Sequence, residues 1–134
     1  MDRFEIWSEI LNSAEKDYYS LSNEERIVYN LKSILDAVHS TGLMKYYMSN
    51  AGGYAEDAIE DLYSVGLDEI AAVIESSNSM FPEGVPPEDI DERTEIISDW
   101  DGEYDDLFEE WTEEILQFTA PLEEELNRLF SEED

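Results

Sequence analysis

The sequence predicts an all-α domain of about seven or eight helices, and three observations carry that prediction. Apolar residues recur three and four positions apart almost throughout, the spacing of a buried helical stripe. No stretch alternates long enough to argue a strand, and no internal repeat has solenoid spacing. At 134 residues, with 42% hydrophobic and 12% aromatic content, the chain can bury one core, so residues 1–134 read as a single domain despite a net charge of −29.

Taken in order, Phe4, Trp7, Leu11, Ala14 and Tyr18 form the first inward stripe. In "LSNEERIVYNLKSILDAVHSTG", Ser22 and Glu25 have capping-box spacing, Ile27, Val28, Leu31, Ile34, Leu35 and Val38 make the buried face, and Gly42 closes the helix in a left-handed conformation. "LMKYYMSN" is short and aromatic, one or two turns, before "AGGYAED" turns the chain through Gly52 and Gly53. A helix restarts near Tyr54, carries Ala58, Ile59, Leu62 and Tyr63 inward and ends at Gly66; Asp68 then caps a helix bearing Ile70, Ala71, Val73 and Ile74. These two form a helical hairpin.

"FPEGVPPED", residues 81–89, is a loop, because three prolines and a glycine cannot continue a helix. Pro87 opens the next helix, whose inner face is Ile90, Arg93, Ile96, Ile97 and Trp100. Tyr104, Leu107, Phe108, Trp111, Ile115 and Phe118 keep a helical period through the acidic run "DWDGEYDDLFEEWTEE". Pro121 kinks or restarts the chain into a last helix with Leu122, Leu126, Leu129 and Phe130.

Composition narrows the function. Without cysteine there is no disulfide framework, thiolate metal site or cysteine nucleophile, and a reducing cytoplasm is the expected setting. No apolar run spans a bilayer, and the acids of "MDRFEIWSEIL" are unlike a signal peptide. Residues 1–50 hold five basic and eight acidic side chains, whereas residues 51–134 hold two basic and twenty-eight acidic. That field repels nucleic acid and anionic lipid and attracts cationic partners.

The acidic run also tests a metal reading. With Asp99 as position one of a calcium loop, Asp101, Glu103 and Asp105 fall on odd positions and Glu110 on the twelfth, but the sixth holds Tyr104 where the turn needs glycine. An acidic helix is the better reading, and no metal or other cofactor is expected. His39 is the only histidine, near a helix C-terminus, so no catalytic triad is in sight. A carboxylate pair for hydrolysis has no specificity among thirty-six acids.

What remains is the surface. Glu56, Asp57, Glu60 and Asp61 form like-charged columns on one helix; Asp99, Asp101, Glu103, Asp106, Glu109, Glu110, Glu113 and Glu114 gather along the acidic run. Like charges three or four apart lie roughly 5–6 Å from each other and cost about 0.2–0.5 kcal/mol per pair. A purely solubilising face would mix signs. Phosphates on each strand of duplex DNA rise by about 3.4 Å, a repeat that carboxylates on adjacent helices approximate.

From about Tyr18 to Trp100 the chain resembles a family of small acidic, all-helical bacterial proteins typified by a double-stranded-DNA mimic that binds a transcription factor. The likeness rests on "LSNEERIVY" with Leu21, Glu25 and Tyr29, on "VHSTGLMKYYMSNAGGY", and on "AIEDLYSVG" leading to Gly66. Gly42, Tyr46, Tyr47, Asn50 and Gly52 match the pattern; Thr41, Leu43 and Lys45 depart from it. The resemblance implies that Gly42, Tyr46, Tyr47, Asn50, Gly52 and Gly66 are a structural signature, with a buried Asn50 tying loop backbone. The acidic C-terminal helices, residues 101–134, lie beyond that core.

The expectation is a non-catalytic interaction protein: a DNA mimic that occupies the basic face of a DNA-binding protein such as a transcription factor, nucleoid protein or nuclease. The alternatives are an immunity-type inhibitor of a basic toxin and, from another class, a carboxylate-based hydrolase. Exposed aromatics offer a route to a homodimer.

Overall fold

The computed structural model describes residues 2–133, with side chains as far as Ser131. Among the described residues there are eight α-helices and no strand: α1 (Arg3–Asp17), α2 (Asn23–Ser40), α3 (Leu43–Tyr47), α4 (Ala55–Ser64), α5 (Asp68–Asn78), α6 (Ile90–Asp99), α7 (Asp105–Leu116) and α8 (Thr119–Glu133). Single 3-10 turns span Tyr18–Ser20, Asn50–Tyr54 and Pro82–Gly84.

Helix α2 is the central element, because Val28, Leu31, Ile34, Leu35 and Val38 are all buried and α1, α3, α4, α7 and α8 pack against it. Its start follows the sequence: Ser22 Oγ accepts from the Glu25 N–H, and Glu25 returns the bond to the Ser22 N–H. That reciprocal pair satisfies two of the donors a helix start leaves open. At the other end Gly42 has φ 119° and ψ 171°, a region open essentially only to glycine, rather than the left-handed helical conformation expected.

The α4–α5 hairpin forms as read. Gly66, at φ 82°, lets the Leu67 N–H reach the Leu62 carbonyl, and both helices bury their apolar faces against each other. Helices α2 and α5 each pack against both α4 and α7, so α4 and α7 sit at diagonal corners of a four-helix centre. Helix α8 closes the body over α2 and α1 with Leu122, Leu126, Leu129 and Phe130, and Pro121 falls in its first turn, where no helical donor is lost.

Several elements differ in detail. Helix α1 buries Ile6 and Ile10, while Phe4 is 77% exposed and Leu11 also faces out. Contact with both α2 and α8 centres the helix on its two isoleucines, with Trp7 and Ala14 at the margins. The chain passes Tyr54 in a 3-10 turn before α4 begins at Ala55, and Tyr63 lies outside, bonded through its hydroxyl to Glu75. Asp68 is the first residue of α5 and not its cap; the cap residue, Leu67, makes no side-chain bond. Helix α6 opens after Pro87: Asp89 caps it, accepting from the Asp91 and Glu92 N–H groups. Two consecutive prolines keep the preceding backbone extended, so an aspartate takes the role.

The largest difference is in the acidic run, which is two helices and a turn rather than one continuous helix. Asp101 (φ 48°) and Gly102 (φ 79°) reverse the chain between α6 and α7. Trp100, Tyr104 and Phe108 nevertheless pack ring against ring across that turn, with centroids 5.2 to 5.7 Å apart.

Candidate partner-binding surface

Helix α7 and the turn before it present a row of uncompensated carboxylates. Phe108 and Ile115 are buried against the α2 and α5 sides, which fixes the opposite face outward. Asp99, Asp101, Glu103, Asp106, Glu109, Glu110, Glu113 and Glu114 are all exposed, as is Asp105, which the sequence reading of the surface had omitted. Three ion pairs join described side chains, Arg26–Asp61, Lys32–Asp36 and Arg128–Glu125, and none engages an α7 carboxylate. Across the cleft between α5 and α7, about 570 Å³, Glu69 faces Glu114 and adds a further acid to the field. Asp105 and Asp106 stand at the N-terminus of α7, where the helix dipole favours them; Glu113 and Glu114 stand near its C-terminus, where it does not.

The columns on α4 do not extend this row. Glu56 and Glu60 are exposed, Asp57 is half-buried, and Asp61, expected on the surface, is only 3% exposed. Arg26 holds Asp61 with two bonds, Nη2 to Oδ1 at 2.8 Å and Nε to Oδ2 at 3.2 Å, and Asn30 Nδ2 donates to Oδ2 at 2.8 Å. The same Asn30 amide reaches the Tyr18 hydroxyl, which donates to Asp57 Oδ2 at 2.9 Å. Asp61 thus belongs to an internal network that joins α2 to α4, because a buried carboxylate persists only when it is paired and bonded. With α4 and α7 at diagonal corners, the two acidic sets form separate patches.

The signature residues build a different feature. Tyr46 and Tyr47 are buried as expected, and the Tyr47 hydroxyl hydrogen-bonds with Ser77 and Asn78 of α5. The Tyr46 hydroxyl is enclosed without a partner among the described residues, and burial pushes its pKa well above the ordinary tyrosine value. Asn50 is exposed, contrary to expectation; the loop is tied by Arg93 instead. The Arg93 side chain is fully buried and meets no carboxylate. Its Nε donates to the Tyr47 carbonyl at 2.8 Å, Nη1 to those of Pro87 and Glu88 at 2.7 Å each, and Nη2 to that of Ser49 at 2.6 Å. Burial lowers its pKa from the usual arginine value.

This cage explains the paired glycines. A β-carbon on Gly52 would lie 2.8 Å from both the Tyr46 carbonyl oxygen and Tyr47 Cα, so the turn that wraps the guanidinium admits no larger residue. The cage was missed because the apolar period placed Arg93 on an inner face without supplying a partner; the signal available was the pair Gly52–Gly53 beside two tyrosines.

His39 lies exposed in the last turn of α2. Among the described residues no group of three or more histidine, aspartate or glutamate side chains is arranged to hold a metal ion, and no helix is long and apolar enough to cross a membrane. These features define a class: an acidic all-helical domain whose exposed carboxylates of residues 99–114 have no ion-pair partner among the described side chains, while its interior cation rests on main-chain oxygen. The chain belongs to the family of DMP19-like proteins, whose model matches residues 19–133. The match runs through α7 and α8, beyond the limit near residue 100 set from the sequence, and α1 precedes it. No curated protein and no solved structure matches the chain.

Proposed function

We propose that this protein is a DNA mimic that acts in the cytoplasm, using α7 and the α6–α7 turn to occupy the basic face of a DNA-binding protein and so inhibit or modulate it. The partner is a transcription factor, a nucleoid protein or a nuclease, and the role involves no catalysis. One observation carries this reading: the exposed carboxylates of residues 99–114 have no ion-pair partner among the described side chains. Helical neighbours held roughly 5–6 Å apart repel one another, so the row destabilises the free protein and is relieved when arginines or lysines cover it. Membership of the DMP19-like family supports an interaction role. Phe4 and Tyr19, 77% and 71% exposed, are candidates for a homodimer contact.

The test is the triple charge reversal of Asp106, Glu110 and Glu113 to lysine. Capture of the partner from a cytoplasmic extract at low salt should be lost while far-UV circular dichroism is unchanged, and duplex DNA should displace the wild-type protein from its partner. Capture that survives the reversal moves the binding face off α7. Inhibition of the partner's activity that DNA does not relieve would favour an immunity-type inhibitor of a basic toxin.

A further inference from the structure

We propose that a groove between α1, α2 and the Asn50–Tyr54 turn binds an aliphatic cation, an alkyl ammonium or alkyl guanidinium group, independently of the α7 surface. Two adjoining cavities, about 330 and 200 Å³, share Glu15, Tyr29 and Asn50 as common walls. At one end Glu88 and Asp89 bring in two more carboxylates, and Tyr54 offers a ring. At the other, Ser33 and Ser49 line a narrower end with Leu11.

Acids alone would not make this a site in so acidic a molecule. The independent observation is Tyr29. It is only 5% exposed and lines both cavities, yet its hydroxyl enters no hydrogen bond with any described residue. Unlike the enclosed Tyr46 hydroxyl, that of Tyr29 opens onto the cavity space, where a ligand's N–H donor can bond it. Its ring is held firmly, against Trp7 on one side and Tyr18 on the other, so the hydroxyl is presented from a rigid base. The Asn50 side chain stands beside it, exposed and equally free of hydrogen bonds. Both residues lie in the segments that carry the sequence signature, yet neither does the structural work that Gly52, Tyr46 and Tyr47 perform.

The chemistry of the walls selects the ligand. Glu15, Glu88 and Asp89 favour a positive head, while the Tyr29 hydroxyl and the Asn50 carbonyl oxygen accept from N–H donors. Ala14, Leu11 and Ile90 suit a methylene stem. The space is too small for a folded partner and matches a chain of several heavy atoms. A free amine or guanidine and the side chain of a protein-borne arginine share this chemistry. Leu11 and Glu15 stand on α1, which precedes the region matched to the family.

Titration calorimetry of the full chain with agmatine, spermidine and a blocked arginine tripeptide, at an ionic strength of about 0.15 M to screen diffuse attraction, tests the proposal. The expected result is one saturable site for at least one probe. Agmatine or spermidine binding assigns the site to a free cation, and tripeptide binding alone assigns it to a protein side chain. Tyr29→Phe and Asn50→Ala should each weaken that site about tenfold without lowering the melting temperature, since neither polar group is bonded in the free protein. Glu124→Gln, on exposed α8 surface, should leave it unchanged. Multi-site, unsaturable binding, or affinity indifferent to Tyr29→Phe and Asn50→Ala, would overturn the proposal.

Discussion

Gly53 and Arg93 are packed so closely that no side chain fits between them: a β-carbon at residue 53 would stand 2.9 Å from Arg93 Nη1 and 2.7 Å from the Glu88 carbonyl oxygen. The turn and the cation specify each other. Arg93→Lys offers three donors from one nitrogen where the guanidinium spreads its donors over four carbonyls, so at least one buried carbonyl loses its partner. Urea denaturation should show a loss of about 2–4 kcal/mol for Arg93→Lys. Gly53→Ala should also destabilise, by moving the loop or the guanidinium.

The neighbouring tyrosines differ in what their hydroxyls do, so they should respond in opposite ways to the same change. Tyr47→Phe leaves buried Ser77 and Asn78 short of a partner and should cost about 1–3 kcal/mol. Tyr46→Phe removes a buried hydroxyl that has no partner and should be neutral or stabilising. Melting temperatures of the two variants, measured side by side, check the contrast.

Alkali should unfold this protein early. Burial pushes Tyr29 up to about 12, helped by the charges of Tyr54 and Glu15, and raises Tyr18, Tyr46 and Tyr47 as well. Above the ordinary tyrosine value of about 10, the unfolded chain releases protons that the native state retains. Stability is therefore fully present below that pH and falls as pH rises toward the raised values. Urea midpoints should drop steadily above about pH 10, and the share of tyrosinate absorbance belonging to Tyr18, Tyr29, Tyr46 and Tyr47 should appear together with loss of helix, whereas exposed Tyr19 and Tyr63 need no unfolding to ionise. Ionisation of all eight tyrosines before any loss of helix would contradict the burial of these rings.

Exposed and interior acids should separate by their response to salt. The carboxylates of α7 repel over distances shorter than the screening length of about 10 Å at 0.1 M ionic strength, so raising salt toward about 0.5 M should raise the melting temperature. Glu110→Gln should raise it at low salt and matter little at high salt. Asp61→Asn should lower it at every ionic strength, because Arg26 would be left facing a neutral amide in a half-buried pocket.

Much of the architecture was legible in the sequence, since it depends on local rules. The capping box of Ser22 and Glu25, the buried stripe of α2 and the helix stop at Gly66 each follow from residues close together in the chain. The rest depends on contacts between distant segments. Apolar spacing on α1 allowed more than one inward face, and only the position of α2 and α8 chose Ile6 and Ile10. Asp61 has the same spacing as Glu56, Asp57 and Glu60, and its interior fate is set by Arg26 and Asn30, more than thirty residues away. The turn at Asp101 and Gly102 was masked because Tyr104 and Phe108 stay in phase with Trp100 on both sides of it. The outward row of α7 was readable, because its inner partners share one helix with it.

Cradling Arg93 with peptide oxygens has an evolutionary corollary. An interior cation neutralised by an aspartate would tie one acid permanently to folding and forbid its replacement. Here no glutamate or aspartate along the outer rim of α7 is bonded to that cation, so those acids can drift, multiply or vanish without unmaking the cage.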